Sequence, residues 1–576
     1  MLGDRRRDAS TGGPAIELTL FLFLVLGWLG LSGCAMPTVS PTPTPTRTPR
    51  PTLTPTSTLT PTPSPTPTPA FPITVGCTEA VPDAVCARLE ATVVSDPEHF
   101  AWAGSASAQA TLDTRLGSSE GLTGNWIYAV AAPFFTVEDE VTLADLQSTW
   151  QGSPAGPFAL HPLLAATDTV KVMSELWGPP AEGVLQLTDA DRLLTGAKAT
   201  EGWALLPFDE LTPEWKVMRL DGTMLLEKNL SLEDYPLQIG LHLHSETRPE
   251  ALDLLGLSPS DLTNRDESQM TLVAMTGVTA LSRSTARLMD TRGITYPARD
   301  ILPWFADADF VHISNEVSFK PDCVTEPSGT LSFCSHDSYI GLLEEIGTNV
   351  VELTGNHLAD KGYQWIYHSL DMYRERGWGW YGGGEDFADA TRPLTITHNG
   401  NHIAFLGCNP SGVGAFASEE RPGAAPCYEP WQHELMQGRV EQLCVEGYLP
   451  IVTLQHREVD QYAPWPGHIR DLRAYAAAGA IIVHGSQAHW VKPMEFHSDA
   501  FIHYGPGNLF FDQMWADGVR QGFLTRYTFY EGRLLGIELR TYVIEEYGRP
   551  RPMTVGDPDP VADRRAFLQM MFDLRP

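Results

Sequence analysis

The first strongly apolar stretch of the chain, residues 18–30, runs for about 13 positions without a charge and follows Arg5, Arg6 and Arg7. A stable bilayer-spanning helix needs roughly 20 apolar residues, so a basic start and a short apolar run predict an export signal rather than a permanent span. Residues 37–69 are almost entirely proline, threonine and serine, with no apolar periodicity. Such a tract cannot bury a core and predicts a disordered, extended stalk, which at ~3.1 Å per residue reaches up to roughly 100 Å. Between 71 and 249 strand and helix patterns alternate: strand at 73–76, helix at 83–92, strand at 126–131, and a helix over 141–150 opened by Thr142. From 268 the rhythm becomes strand–loop–helix. Apolar runs at 270–275, 310–313, 350–353, 403–406, 451–454 and 481–483 read as buried strands, with amphipathic helices at 363–376, 431–445 and 468–478. Residues 523–530 and 534–543 alternate as two antiparallel strands about a turn at Glu531-Gly532. The class is α/β, with two sheets and helices outside.

The apolar run at 18–30 closes on Leu31-Ser32-Gly33-Cys34, which resembles a lipobox and makes Cys34 the candidate lipidation site. The implied protein is extracytoplasmic and lipid-anchored to the membrane or cell surface. A net charge of -32 disfavours nucleic acid as a partner, because a phosphate backbone needs basic surface. With Cys34 lipidated, seven of the eight cysteines remain in an oxidising space. The short-range pairs Cys77–Cys86, Cys323–Cys334 and Cys408–Cys427 are expected, leaving Cys444 free and buried, although spacing alone leaves connectivity open. No Cys-x-x-Cys occurs, which disfavours a thiolate zinc site.

Polar residues of the C-terminal half fall at strand ends: Asn315 and Glu316, Asn356 and His357, His456, and the stretch from His484 to His489. Loops at the carboxyl ends of strands converge on one face of an open α/β sheet, so residues distant in sequence can share a site. Carboxylate, amide and imidazole together suit a hydrolytic divalent ion such as Mn²⁺, Zn²⁺ or Fe²⁺. Each also has a plain structural reading, with Asp360 capping the helix that follows Tyr363 and Glu316 a hydrogen-bonded loop carboxylate.

Six motifs in order carry a resemblance across about 270 residues: "SNEVSF" at Ser314, "TGNHLADKG" at Thr354, "YGGGEDFADATRP" at Tyr381, "LQHREVDQY" at Leu454, "GSQAHWVKPMEF" at Gly485 and "IHYGPGNLFFD" at Ile502. They resemble the CapA family of capsule and poly-γ-glutamate synthesis proteins, within the metallophosphoesterase group. That resemblance implies a two-sheet β-sandwich flanked by helices over 268–546. It also implies metal ligands at Glu316, Asn356, His456 and His489, with His357, oriented by Asp360, donating a proton to a leaving group in metal-assisted hydrolysis at phosphorus. "VTLADLQSTWQG" at Val141 and "GWALLPFDELTPEWKVMRLDG" at Gly202 resemble, more diffusely, type II periplasmic binding proteins, implying an α/β lobe pair over 71–249 that binds a ligand or serves as a spacer. The implied plan is signal peptide 1–34, linker 35–70, lobe pair 71–249, CapA-like domain 268–546 and tail 547–576.

Two departures bear on the chemistry. Val278 stands where the family has a metal-binding aspartate, and Ser486 replaces a histidine, leaving Gln487 as a weak oxygen ligand and His484 as a displaced imidazole. At most one ion is then held well. Two functions stay open: a metal-dependent phosphoesterase-like hydrolase acting on envelope polymer or a phosphorylated small molecule, and a non-catalytic scaffold that binds polymer or solute.

Overall fold

A ten-residue strand, Gly124–Pro133, organises the N-terminal segment because its two halves pair with different partners. The first half lies antiparallel to Gln238–His244, matching Ile127 to Gln238, and the second half to Trp203–Pro207, matching Tyr128 to Pro207. Two half-sheets result. One adds Ala110–Arg115, Ile73–Cys77 and Phe100–Trp102, and the other Leu163–Ala166 and Leu185–Thr188. The expected helix begins at Leu143 and ends at Trp150, and the Thr142 side chain accepts from the Asp145 amide as its N-cap. Residues 71–115, 123–232 and 235–576 are described in this computed structural model, so the expected signal, Cys34 and the stalk lie outside the described residues.

The C-terminal half is two sheets packed face to face. The first runs Gly379–Tyr381, Val350–Glu352, Phe310–Asn315, Met270–Met275, Gln521–Tyr530, Arg533–Glu545 and Arg549–Pro552. The second runs Leu394–His398, Asn401–Cys408, Leu449–Leu454, Ile482–His484, Ala500–Gly505 and Lys492–His497. Val273, Tyr381, Phe405, Ile451, Ile482, Phe501, Tyr527 and Phe529 fill the space between them. Helix Gln364–Glu375 covers the first sheet through Ile366, Leu370 and Tyr373. Helices Pro430–Val445 and Pro466–Ala477 cover the second. Parallel strands buried on both faces read as unbroken apolar runs, which is why they were visible in sequence. The hairpin turn has Glu531 and Gly532 at φ 50° and 75°, the positive pair that matches strand twist.

The final residues, expected as a tail, are part of this core. Arg549–Pro552 adds a strand, and helix Arg564–Asp573 buries Phe567, Leu568, Met571 and Phe572 between the sheets' edges. The two halves of the chain also share packing. Phe134 lies in the sandwich core with its ring 5.4 Å from that of Phe501, and Met270, Tyr530 and Leu535 join the N-terminal core. Ion pairs cross the same seam, Arg219 to Glu538 at 2.9 Å and Arg564 to Asp139 at 2.7 Å. Pro69 to Pro576 accordingly forms one compact unit.

The three short-range disulfides are formed: Cys77–Cys86, Cys323–Cys334 and Cys408–Cys427. Cys444 is free but exposed, not buried. Its helix turns Met436, Val440 and Leu443 inward, which leaves the next position on the wet face. No described helix is long and apolar enough to cross a membrane.

Phe501 touches Phe134, Phe496 and Tyr527 at once. Phe501→Ala is expected to cost about 3–5 kcal/mol by emptying that volume, read as a lowered urea midpoint by both tryptophan fluorescence and circular dichroism.

Candidate metal centre

Four strand ends supply the site. After Phe310–Asn315 the backbone of Glu316 donates to Thr279, and after Val350–Glu352 the chain turns through Thr354-Gly355-Asn356-His357. Gly355 is required here, since a Cβ at that position would sit 2.6 Å from the Glu316 carbonyl oxygen. That close approach sets His357 beside Val317 in an isolated bridge. From the second sheet, Leu449–Leu454 leads into Gln455 to Glu458, and Ile482–His484 into Gly485 to His489.

Glu316 is the centre of the cluster. Its carboxylate is fully buried, and neither oxygen has a hydrogen-bond partner. Oε1 lies 3.8 Å from His489 Nε2 and 3.9 Å from His357 Nε2. Glu458 Oε1 is 3.4 Å from the same His489 nitrogen. Asn508 Oδ1 sits 2.7 Å from His489 Nδ1, and Asp360 Oδ2 sits 2.8 Å from His357 Nδ1, so both rings turn their Nε2 toward the carboxylate. Glu316, Glu458 and His489 each offer one ligand atom, all within 4.8 Å of one another. Gln487, buried at φ 60°, donates its amide to Ser314 Oγ at 3.0 Å and leaves Oε1 without a partner.

The other expected ligands are placed differently. Asn356 is adjacent, but its amide oxygen accepts from Gln455 Nε2 at 2.7 Å. His456 does not join the cluster. Its Nε2 meets Asp471 Oδ2 at 2.8 Å, its Nδ1 accepts from the Arg457 amide at 2.8 Å, and its ring packs 4.3 Å from that of His468. His484 is also remote, bonded to the Tyr527 hydroxyl between the sheets. Val278 is buried in strand pairing, and Ser486 donates to a second buried carboxylate, Glu352. Glu458 and Asn508 were missed as site residues although both fall in motifs quoted above. The signal for Glu458 was a carboxylate two positions beyond His456 on the same strand end.

Charge follows this geometry. Burial pushes the Glu316 carboxyl up, only partly opposed by His489, His357 and Arg283. Burial works against protonation of His489 too, yet Glu316, Glu458 and Asn508 outweigh it and lift the imidazole to about 9. His357 is likewise raised: burial opposes its charge, but Asp360 and Glu316 prevail. At neutral pH His489 therefore carries a proton that a cation would displace.

The sequence profile of the family described as bacterial capsule synthesis protein PGA_cap matches residues 272–513, the span that holds every member of the cluster. Residues 272–513 form a PGA_cap domain. Among curated relatives, the capsule biosynthesis protein CapA of Bacillus anthracis is 22% identical over 299 residues, covering 50% of this chain and 71% of that one. The PGA biosynthesis protein CapA of Bacillus subtilis is 25% identical over 242 residues, 41% of this chain and 62% of that one. A phosphate transport receptor structure from Vibrio cholerae matches 33% of this chain and 93% of its own at 11% identity and TM-score 0.28, too low a score to carry an argument. The PGA_cap match thus covers the second sheet, the parallel strands of the first and the strand-end loops, stops before Gln521–Tyr530, and leaves the N-terminal lobes to be described by their own topology.

Because the folded pKa of His489 lies above its ordinary value of 6.5, its contribution to stability is complete below about 6.5 and is lost as pH rises through about 9. In chelator, wild type is expected to lose about 1–3 kcal/mol more than Glu316→Gln between pH 6 and 9.5, measured by urea denaturation at both pH values.

Proposed function

We propose that this is an exported cell-envelope protein, lipid-anchored at Cys34, that acts in synthesis or processing of a capsule or poly-glutamate-type polymer through a one-cation hydrolytic centre in its CapA-type domain. The names of the relatives support the polymer. The bare, buried carboxylate of Glu316 supports the cation, since an unpaired buried charge is costly and is ordinarily neutralised or bound to metal. Glu316, Glu458 and His489 would hold the ion, with Gln487 Oε1 the additional oxygen. When bound, a divalent ion such as Mn²⁺, Zn²⁺ or Fe²⁺ supplies Lewis-acid polarisation of a phosphoryl or acyl oxygen and lowers the pKa of water. The chain's own groups do the remainder. Asp360 fixes His357 with Nε2 facing the cluster, where a protonated imidazole donates to a departing oxygen. Asn508 holds His489 in the tautomer whose Nε2 is free for the ion.

A non-catalytic reading has its own support. With Asn356 Oδ1 taken by Gln455 and His456 by Asp471, fewer ligands face the centre than the family resemblance implies. In that reading the domain grips envelope polymer, and the N-terminal lobes recruit a solute or partner.

Metal analysis and calorimetry on the purified protein separate the two. One Mn²⁺ or Zn²⁺ per chain is expected, with Glu316→Gln or Glu458→Gln weakening it at least about tenfold and His456→Ala leaving it unchanged. Turnover of aryl phosphates or phosphodiesters should follow the same order. Absence of both metal and turnover across Mn²⁺, Zn²⁺ and Fe²⁺ would leave the scaffold standing. Since binding must displace the proton of His489, affinity is expected to rise about tenfold per pH unit from 7 toward 9. A flat profile would remove His489 from the ligand set.

A further inference from the structure

Arg283 occupies an unusual place behind the cluster. It opens helix Arg283–Arg292 at φ 50°, a left-handed conformation that is strained for a side chain of this size, and is only 6% exposed. Strain of this kind persists only where surrounding contacts over-determine it, and such residues gather at functional sites. The contacts are explicit. Nη2 meets Asp512 Oδ1 at 2.5 Å, and Nη1 donates to the Thr330 carbonyl at 3.0 Å. Asp512 in turn accepts from the Ser284 amide at 3.1 Å, tying the guanidinium to the helix start.

The guanidinium so fixed rests on two adjoining rings, 4.7 Å from the centroid of Phe333 and 4.5 Å from that of Phe511, which are themselves 6.1 Å apart. Each ring has a histidine of the cluster on it: Phe333 lies 4.5 Å from His357, and Phe511 stacks on His489 at 5.1 Å with 21° between planes. The rings run His357, Phe333, Phe511, His489, and Arg283 caps the central phenylalanine pair. Phe333 is anchored further by the neighbouring Cys323–Cys334 disulfide, and its amide donates to Asp360 Oδ2, the oxygen that also meets His357. Ala280 and Val317 close this small apolar cluster.

Resting on the metal-centre reading above, we propose that Arg283 is a positioning residue whose guanidinium, held flat by Asp512, sets the angles of both imidazoles through Phe333 and Phe511. Arg283 lies outside the candidate ligand trio and acts through the rings beside it. Its planar fork stacks and bonds simultaneously, which a lysine ammonium cannot do. Neither Phe333 nor Phe511 has a polar group of its own to hold its ring, so the cation lying on both rings fixes the tilt of the pair.

The test uses the full chain loaded with Co²⁺, whose visible absorption reports ligand geometry. Arg283→Met is expected to weaken Co²⁺ binding about tenfold and to alter the band shape, with Asp512→Asn acting in the same direction. Met with wild-type affinity and spectrum overturns the proposal. Should Arg283→Met not fold, Arg283→Lys decides: a changed spectrum supports planar clamping, and an unchanged one overturns it. If wild type itself takes no Co²⁺, the metal reading fails separately. Arg283 is then judged at one fixed pH by the ring-current shift of the His489 Cε1 proton, which must move in Arg283→Met for the proposal to stand.

Discussion

The buried carboxylate of Glu316 governs this domain's architecture more than any other single group. A carboxylate removed from water without hydrogen bonds carries a penalty of several kcal/mol, which the fold must offset with charge, protons or an ion. Its surroundings are arranged toward that end. Two imidazoles approach its Oε1 at 3.8 and 3.9 Å, and each has its far nitrogen fixed by a polar partner. Position 355 is glycine because a Cβ there would collide with the Glu316 backbone against which the turn packs. Loops from both sheets are drawn to one point, and the sandwich supplies the rigid floor beneath them.

How much of this was legible in sequence depends on the kind of signal. Six parallel strands were visible as unbroken apolar runs, whereas Gly379–Tyr381 and Ala500–Gly505 were not, and the Glu531-Gly532 hairpin was visible as alternation about a turn. The helix start at Thr142 was legible from its cap, while the Asp563 cap of the last helix went unread. Residues 547–576 were not, because a lone short helix says nothing of where its apolar face docks. Phe567 and Phe572 acquire meaning only once the two sheets leave a gap for them. The same limit applied to the site. Glu316, His357 and His489 follow strands and could be gathered by strand order. Whether His456 or Glu458 turns inward depends on the competing attraction of Asp471, fifteen positions further along, which spacing cannot rank.

The N-terminal lobes bear on this centre through rigidity rather than contact. Arg219, Arg526 and Arg540 surround Glu538, and burial, which opposes ionisation of that carboxyl, is outweighed so that it stays charged. Together with Phe134 wedged into the sandwich core, this makes the lobes a buttress for the first sheet rather than a separate bead on a tether. Isolated ion pairs at a surface contribute little, but a shared, partly buried network with good geometry resists shear between the layers it joins.

A comparison within the same domain bears on why Glu316 is left bare. Glu352 is equally buried, yet its Oε1 accepts from the hydroxyls of Thr354 and Ser486, and its Oε2 lies 3.3 Å from His312 Nε2. Burial raises its pKa, but His312 and the hydroxyls more than compensate and hold it ionised. The fold can therefore satisfy a buried carboxylate with its own donors, and does so with the serine that stands where the family resemblance calls for a histidine. Ser486 thus helps to support an internal carboxylate whose Oε1 is doubly bonded and whose Oε2 faces the His312 ring. Glu316, lacking any such donors while facing Glu458 and His489, retains the electrostatic character of a cation site.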